Sequence, residues 1–301
     1  MPAASAIITT FNRERFLGGA IESVLSQTFR DFELLVLDNA SSDGTAAVVR
    51  RRTGSQIRYI RHAPLTIAAA RNLGVREARG EFVAFLDDDD EWLPRKLEQQ
   101  VAVFRRGTES LGLVYGGFTR IDERGAEAGT HHPTLRGRIL TELLWQRDVF
   151  TGSASNPMMR AAALATLGGF NETLVTSEDW ELYLRLAERF EVEYVPEVVV
   201  RIRTHRGRRL GDRIDEARKV EELVLSRFGP QMNARLRSLY LRKIGGKLCR
   251  TGAVPEGRAR IRQAIGADPL NPLAYAQYGL SFLGSRAYGR VHDIYRRRRP
   301  G

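Results

Sequence analysis

The chain has 301 residues, of which 43% are hydrophobic, and its formal net charge is +11. This length and composition are ordinary for a globular protein and suffice for one large domain plus a smaller one. The single cysteine, Cys249, excludes an internal disulfide, and no apolar run approaches the ~20 residues of a membrane-spanning helix. Because the N-terminus also lacks the pattern of a signal peptide, we expect a cytoplasmic protein.

The positive charge is concentrated in the C-terminal third. Residues 1–200 contain 23 Lys and Arg against 28 Asp and Glu, a balance of −5, whereas residues 201–301 contain 24 against 8, a balance of +16. The chain ends in YRRRRPG. This basic end predicts peripheral association with an anionic membrane at its inner face or with an acidic polymer; a merely solvated end is the alternative.

From Ser5 to about Phe104, short β-rich runs alternate with amphipathic stretches. The predicted strands are AIITT, ELLVLD, IRYIRH and FVAFLD, each followed by a predicted helix: FLGGAIESVLSQ, GTAAVVRRR, IAAARNLGVREAR and PRKLEQQVAVF. Parallel strands joined by helical crossovers are the usual solution for this pattern. Strands at LGLVYGGF and VEYVPEVVVRIR, with helices near 136–146 and 178–190, complete an α/β domain of residues 1–205.

Residues 206–301 have a different pattern. Runs of β-branched residues are scarce from Asp212 onward, and the spacing predicts helices throughout. The stretch GRARIRQAIGADPLNPLAYAQYGLSFLG resembles one tetratricopeptide-type helical hairpin, without a clear second copy at the repeat period of ~34 residues. We therefore expect a basic, all-α C-terminal appendage.

Polar clusters follow three of the predicted strands, at Thr9–Asn12, Asp38–Asp43 and Asp87–Asp90. In open α/β sheets, ligands bind beyond the carboxyl ends of the strands, so these clusters predict one site. No GxGxxG follows the first strand and no GxxxxGK[ST] occurs. The sequence therefore argues against a dinucleotide-dependent dehydrogenase and a P-loop enzyme.

The stretch FVAFLDDDDEW places four adjacent carboxylates, Asp87–Asp90, at the end of an apolar strand. Because like charges ~4 Å apart repel by roughly 4 kcal/mol at a protein surface, the cluster predicts a bound cation. Mg²⁺ and Mn²⁺ prefer such oxygen ligands. In an extended stretch, Asp88 would point away from its two neighbours.

A solvated turn that caps a helix beginning near Pro94 is the alternative for this cluster. Asp90 is the residue that we expect to act only as a cap.

Three blocks of the sequence resemble glycosyltransferase family 2. They are IITTFNRERFLGGAIESVLSQTFRDFELLVLDNASSDGT, AAARNLGVREARGEFVAFLDDDDEW and EDWELYLRLA, in this order, and the resemblance covers roughly residues 4–205. It implies the GT-A fold, a Rossmann-like, mostly parallel sheet with helices on both faces. It also implies an inverting enzyme with a nucleoside diphosphate sugar donor, Mn²⁺ or Mg²⁺ on the acidic motif, and an Asp general base in the ED pair.

Carried over to this chain, the resemblance implies a nucleotide-sugar site and a metal site. The implied nucleotide-sugar residues are Thr9, Phe11, Asp38, Asn39, Arg71, Asp87 and Asp88. Asp89 is the implied metal ligand, assisted by Asp87. His205, after the last predicted strand, is a further candidate for binding metal or phosphate, with an ordinary surface position as the alternative.

The ED pair, Glu178 and Asp179, lies at the start of a predicted helix. Inverting transfer needs a group that takes the proton of the acceptor hydroxyl, and a carboxylate at a helix end can do so. Asp179 is the predicted general base, with Glu178 in reserve; helix capping is the alternative for both. Ser153–Met159 would form the acceptor floor in this resemblance, or only a loop that enters a helix at about Ala161.

Asn39 stands where family members often carry a second carboxylate. Because an Asn carbonyl can accept the N3–H of a pyrimidine, UDP- or dTDP-sugar donors are favoured. The expected acceptor is a hydroxyl of a saccharide or a lipid-linked molecule. A metal-dependent nucleotidyltransferase and a nucleic-acid-binding protein are the alternatives. The first lacks a Gly-rich activation loop after the first strand and the second lacks base-reading modules, so we expect no nucleic-acid partner.

Overall fold

The computed structural model describes residues 1–52, 56–145, 151–205 and 214–297. The chain divides into two compact units, Met1–Gly207 and Arg208–Gly301, and each is described here by itself. The first unit is α/β and the second is helical. The predicted fold class is therefore confirmed.

Within the described residues, the first unit is built on one sheet of nine strands. In chain order they are β1 (Ala4–Thr10), β2 (Phe32–Asp38), β3 (Ile57–Arg61), β4 (Phe82–Asp87), β5 (Glu91–Trp92), β6 (Leu111–Ile121), β7 (Glu127–His131), β8 (Met158–Arg160) and β9 (Glu191–Arg203). The spatial order is β3-β2-β1-β4-β8-β6-β9-β5, and β7 pairs with β6. Strands β1–β4, β6 and β9 run parallel, whereas β5, β7 and β8 run against them. The mostly parallel sheet is confirmed.

Helices connect these strands much as the alternating pattern predicts. They are α1 (Leu17–Leu25), α2 (Thr45–Arg50), α3 (Ile67–Glu77), α4 (Lys96–Arg106), α5 (Leu140–Trp145), α6 (Ala161–Leu167) and α7 (Glu178–Arg189). The sequence pattern missed strands β5, β7 and β8. Two of them have only two or three residues, and every residue of β7 is exposed, so they lack the apolar run that marks a strand.

The core lies on both faces of the parallel strands, because every residue of β1 and β2 is buried. Helix α3 packs closely on this sheet at Gly74, where an added Cβ would lie 2.7 Å from Ile7 and 2.9 Å from Leu37. In β9, the pairing with β6 skips Pro196 and Glu197. Proline has no N–H to donate to a ladder, so a bulge forms there.

The second unit consists of helices α8 (Ile214–Phe228), α9 (Ala234–Thr251), α10 (Val254–Ala267), α11 (Pro272–Leu280) and α12 (Gly284–Arg297). Short 3₁₀ turns lie at Gly229–Gln231 and Ser281–Leu283. Helices α9 and α10 approach closely because Gly245 faces the Gly257 carbonyl, which an added Cβ would meet at 2.7 Å. No helix in the described part of the chain is long and apolar enough to cross a membrane.

Candidate active site

The carboxyl ends of β1, β2 and β4 lie side by side at one edge of the sheet. The register pairs Thr10 with Asp38 and Thr9 with Asp87. Because the three strands are parallel, the polar clusters that follow them meet at this edge. Three of the predicted site residues, Thr9, Asp38 and Asp87, come from three different strands and are therefore neighbours. The side chain of Phe11, just beyond β1, is exposed.

The acidic cluster forms a tight turn. Strand β4 ends at Asp87, and the Asp90 N–H donates to the Asp87 carbonyl oxygen at 3.1 Å. The expected alternation of side chains is therefore wrong beyond Asp87, because the chain is no longer extended there. Asp88 and Asp89 lie in the turn, with side chains 12% and 15% exposed.

Arg13 and His205 contact the carboxylates of Asp88 and Asp89 in this turn. The Arg13 guanidinium lies 3.6 Å from Asp88 Oδ1 and 3.9 Å from Asp89 Oδ2. His205 Nε2 lies 2.7 Å from Asp89 Oδ2, so the structure brings His205 to the predicted metal ligand. Arg13 was missed by the sequence analysis, because nothing in NRER distinguishes it from Arg15 before the chain folds.

Burial and mutual repulsion govern the charge of the turn. Burial raises the pKa of Asp88 to about 7, and the carboxylates of Asp89 and Asp87 add to this shift. Burial likewise raises the pKa of Asp87 despite the nearby Arg71. Full ionisation of the turn would therefore place more negative charge there than its surroundings stabilise, and a divalent cation such as Mn²⁺ or Mg²⁺ fits its carboxylate oxygens.

No group of three His, Cys, Asp or Glu side chains among the described residues is arranged to hold a metal by itself. Protein-bound Mg²⁺ commonly takes only one or two carboxylates and completes its shell with water and substrate phosphates. The acidic turn fits that kind of site.

Arg71, on α3, joins the acidic turn to helix α7. It is 4% exposed; its Nη2 donates to Asp87 Oδ1 at 2.8 Å and its Nη1 donates to Glu178 Oε1 at 2.6 Å. Burial disfavours the cation, but the carboxylates of Asp87 and Glu178 outweigh that effect and raise the pKa of Arg71. Both terminal nitrogens of Arg71 therefore donate to carboxylates of the protein itself.

Asp90 does not cap a helix, so that expectation is wrong. Helix α4 begins only at Lys96, and no side chain caps it. The Asp90 carboxylate is buried and accepts hydrogen bonds from the Arg203 N–H at 2.8 Å, Ser155 Oγ at 2.6 Å and Ser153 Oγ at 3.1 Å. Asp90 thus ties the turn to the end of β9 and to the loop at 153–156.

The loop at 153–156 forms hydrogen bonds with residues in and next to the acidic turn. The Asp87 N–H donates to Ser155 Oγ at 3.0 Å, and Trp92 Nε1 donates to the Ser155 carbonyl at 2.7 Å. Asn156 is fully buried and exchanges hydrogen bonds with the backbone of Gly116. Helix α6 begins at Ala161, as the alternative interpretation of this stretch expected.

Asp38 and Asn39 are both held by neighbouring loops. The Asp38 side chain is buried; it accepts a hydrogen bond from the Tyr59 hydroxyl at 2.5 Å and from the Ser41 N–H at 2.8 Å. Burial and this contact raise the pKa of Tyr59 to about 12. The Asn39 amide accepts from the Leu65 N–H at 2.8 Å and donates to the Leu65 carbonyl at 3.0 Å. These contacts hold both side chains beside the end of β1, where the Asn39 N–H donates to the Thr10 carbonyl at 2.9 Å.

Helix α7 begins at Glu178, after Ser177, which has a left-handed conformation with φ 63°. Glu178 is buried and burial raises its pKa, whereas Asp179 is only half-buried. Asp179 Oδ1 accepts from the Trp180 N–H at 2.7 Å. Of the two predicted bases, Asp179 is therefore the one that is open to solvent.

Comparison with known proteins decides the family. Residues 5–168 match the family model described as Glycosyl transferase family 2, which is more than half of the chain. The chain belongs to glycosyltransferase family 2. The family inferred from the three sequence blocks is thereby confirmed.

Several relatives of this family 2 chain carry the glycosyltransferase name. The Escherichia coli UDP-Glc:alpha-D-GlcNAc-diphosphoundecaprenol beta-1,3-glucosyltransferase WfgD is 37% identical over 39% of the chain and 46% of its own length. The putative glycosyltransferase EpsE of Bacillus subtilis is 33% identical over 62% of the chain and 67% of its own length. An uncharacterized glycosyltransferase of Rickettsia felis is 27% identical over 68% of the chain, which spans only 34% of that protein.

Solved structures share the fold. S. aureus TarS 1-349 in complex with UDP-GlcNAc has a TM-score of 0.67 at 16% identity, over 98% of this chain and 91% of that one. Mannosyltransferase PcManGT from Pyrobaculum calidifontis, in complex with GDP-Man and Mn²⁺, has a TM-score of 0.58 at 18% identity, over 96% and 86%. At these identities the likeness concerns the fold alone, and it confirms the GT-A architecture.

Proposed function

We propose that this protein is an inverting glycosyltransferase that moves a sugar from a nucleoside diphosphate sugar to an acceptor hydroxyl. The observation that carries the proposal is the pairing of the buried Arg71 guanidinium with both Asp87 and Glu178. It holds the acidic turn and the start of α7 at one edge of the sheet. This contact supports our proposal that a group that binds the donor diphosphate and a group that takes the acceptor proton act in one site.

We propose a uridine or thymidine diphosphate sugar as the donor. Phe11 offers an exposed ring on which a base can stack, and the Asn39 N–H donates to the carbonyl of Thr10, the residue before Phe11. Relatives support uridine, because the E. coli enzyme is named for UDP-Glc and TarS is in complex with UDP-GlcNAc. The GDP-Man complex of PcManGT shows that the fold also accommodates guanosine. Thr9, Asp38 and Asp88 complete the proposed nucleotide-sugar site.

We propose that Asp89 and Asp87 hold Mn²⁺ or Mg²⁺, with His205 beside Asp89. Such an ion, when bound, neutralises negative charge on a diphosphate and on the leaving group. The Mn²⁺ in the PcManGT complex supports a divalent metal. In this chain, Arg13 adds a positive charge on the same side of the turn, where it would contribute to binding an anionic donor.

Asp179 is the proposed general base. It takes the proton of the acceptor hydroxyl while that oxygen forms a bond to the anomeric carbon. The bond from the anomeric carbon to the diphosphate breaks, and its electron pair leaves with the nucleoside diphosphate. One displacement from the opposite face inverts the anomeric configuration without a covalent enzyme intermediate. Holding both reactants in line can supply roughly 7–11 kcal/mol of the barrier reduction.

Arg71 is a positioning residue in this scheme, because it contacts Asp87 and Glu178 and not the reacting atoms. Glu178 has the same role, because its carboxylate is buried against Arg71. We assign the chemistry to residues 1–205 and none of it to the basic helical region, 206–301. A saccharide or a lipid-linked molecule is the proposed acceptor. The name of the E. coli relative, with its diphosphoundecaprenol acceptor, supports the lipid-linked form.

The alternatives are not favoured. The family match and the glycosyltransferase relatives support neither a metal-dependent nucleotidyltransferase nor a nucleic-acid-binding protein.

A thermal-shift panel of nucleoside diphosphate sugars, each with Mn²⁺, with Mg²⁺ and with a chelator, tests the donor and metal together. We expect one nucleotide series to raise the melting temperature only when metal is present. Product analysis by the anomeric proton coupling then tests inversion. No stabilisation by any nucleotide sugar under any metal condition would overturn the proposal.

A further inference from the structure

An uncharged, exposed segment stands out in the basic helical unit. Residues 269–285 contain no charged side chain, and they include helix α11 and the 3₁₀ turn after it. Five of the nine exposed large apolar side chains among the described residues lie here, with 39% to 89% of each exposed. They are Leu270, Leu273, Tyr275, Phe282 and Leu283, which we call the α11 surface.

The aromatic centre of the α11 surface is held in place. The Arg258 guanidinium lies over the Phe282 ring at 3.8 Å from its centroid. The same guanidinium donates to the Ser281 hydroxyl at 3.1 Å and to the Ser281 carbonyl at 3.2 Å. The Tyr278 ring meets Phe282 edge to face at 5.4 Å between centroids. Phe282 is therefore fixed in position while 59% of it stays exposed.

The charged residues around the α11 surface indicate which kind of partner it can bind. Exposed arginines precede and follow the segment at Arg262, Arg286 and Arg290, and the half-buried Asp268 is the one acidic residue between Arg262 and Arg290. Residues 201–301 have a charge balance of +16. A second copy of the chain would bring the same positive charge to the contact, so self-association through this face is opposed. The fitting partner is apolar and carries negative charge at its boundary.

We propose that the α11 surface inserts into the interfacial region of a bilayer that contains anionic lipids. Apolar side chains bounded by basic residues are the usual composition of such interfacial elements. Helix α11 has nine residues, fewer than half of the ~20 that a spanning helix needs, so it would lie along the surface. We also expect Arg296–Arg299, whose side chains lie outside the described residues, to attract the anionic membrane. Apolar insertion contributes a second part of the binding free energy, which salt does not screen.

Vesicle binding by the full chain tests this proposal. We expect co-sedimentation with vesicles of phosphatidylglycerol and phosphatidylcholine, and far less with phosphatidylcholine alone. The variant Tyr275→Ser/Phe282→Ser/Leu283→Ser should lose about tenfold or more in partitioning, because it removes three apolar side chains from the membrane interface. The matched control is Trp145→Ser, which removes an exposed aromatic side chain from the first unit and should bind normally.

A second readout keeps the test independent of folding defects. The chain has three native tryptophans, so the emission of Phe282→Trp is compared with that of wild type. The additional emission should shift to the blue on anionic vesicles and be quenched by brominated acyl chains. Binding of the triple variant equal to that of wild type would overturn the proposal. So would self-association of the wild-type chain that the triple variant loses, because the α11 surface would then join copies of the chain.

These measurements do not depend on the proposed transfer reaction. An enzyme with the wrong assigned donor or base would still bind vesicles. Conversely, transfer to a soluble acceptor should be the same in the triple variant and in wild type, so failure of one proposal is distinguishable from failure of the other.

Discussion

Arg71 donates a 2.6 Å hydrogen bond to Glu178, a residue 107 positions further along the chain. The other arm of the same guanidinium holds Asp87 at 2.8 Å. The distance between the end of β4 and the start of α7 is thereby fixed by one buried side chain. Since Asp179 follows Glu178 directly, the placement of the proposed base relative to the acidic turn depends on this contact.

Replacement of Arg71 tests the importance of this contact. Arg71→Gln leaves the buried carboxylate of Glu178 and the partly exposed carboxylate of Asp87 without their cation. We therefore expect a loss of about 3–5 kcal/mol in the free energy of unfolding. The double variant Arg71→Gln/Glu178→Gln removes one of the two unpaired charges and should recover part of that loss. Urea unfolding of the three proteins measures both effects; equal stability of Arg71→Gln and wild type would contradict the role.

The proposed base is tested by Asp179→Asn. The amide occupies the same space but cannot accept the proton of the acceptor, so we expect donor affinity to remain and turnover to fall by at least about a hundredfold. Glu178→Gln is the matched control on the neighbouring residue, and its defect should appear mainly in stability. Steady-state kinetics with separate donor titrations distinguish the two, and near-normal turnover of Asp179→Asn would move the base elsewhere.

The proposed metal ligand is tested by Asp89→Ala. Without this carboxylate, a divalent ion is held poorly beside the diphosphate, so we expect the Mn²⁺-dependent part of UDP affinity to disappear. The measurement is UDP titration by calorimetry with Mn²⁺ and with a chelator, for the variant and for wild type. If wild type binds UDP equally well in both buffers, the metal assignment fails.

The acidic turn should make stability depend on pH. The folded pKa of Asp88 is about 7 against a usual value of 3.8, so between these pH values the folded chain holds a proton that the unfolded chain has released. This group therefore lowers stability progressively as pH rises from about 4 to about 7, by up to about 4 kcal/mol.

The variant Asp88→Asn removes this titration. In metal-free protein we expect it to be more stable than wild type at pH 8, with the difference shrinking toward pH 4. Urea unfolding at several pH values in the presence of a chelator measures the difference. A constant difference across this range would rule out Asp88 as the titrating group.

The local signals in the sequence determined most of the fold. Runs such as AIITT, ELLVLD and FVAFLD have apolar residues over their whole length, so they specify buried parallel strands with polar clusters at the carboxyl ends. Parallel strands direct those ends to one edge, and this rule alone brings Thr9, Asp38 and Asp87 together. The family blocks then located the acidic turn and the ED pair in the sequence.

Only the tertiary structure decided which partner each of these groups has. Arg71, Arg13 and His205 come from distant parts of the chain, and nothing in their local sequence states which carboxylate they meet. Asp90 illustrates the reason. It is the same residue type as its three neighbours, so the sequence does not distinguish it from them. In the folded chain, the turn at Asp87 directs Asp90 inward to Arg203 and Ser155, whereas Asp89 contacts His205. The protonation and burial of each side chain in this site depend on contacts with residues up to 116 positions away in the sequence. Its role is therefore set by packing across the edge of the sheet.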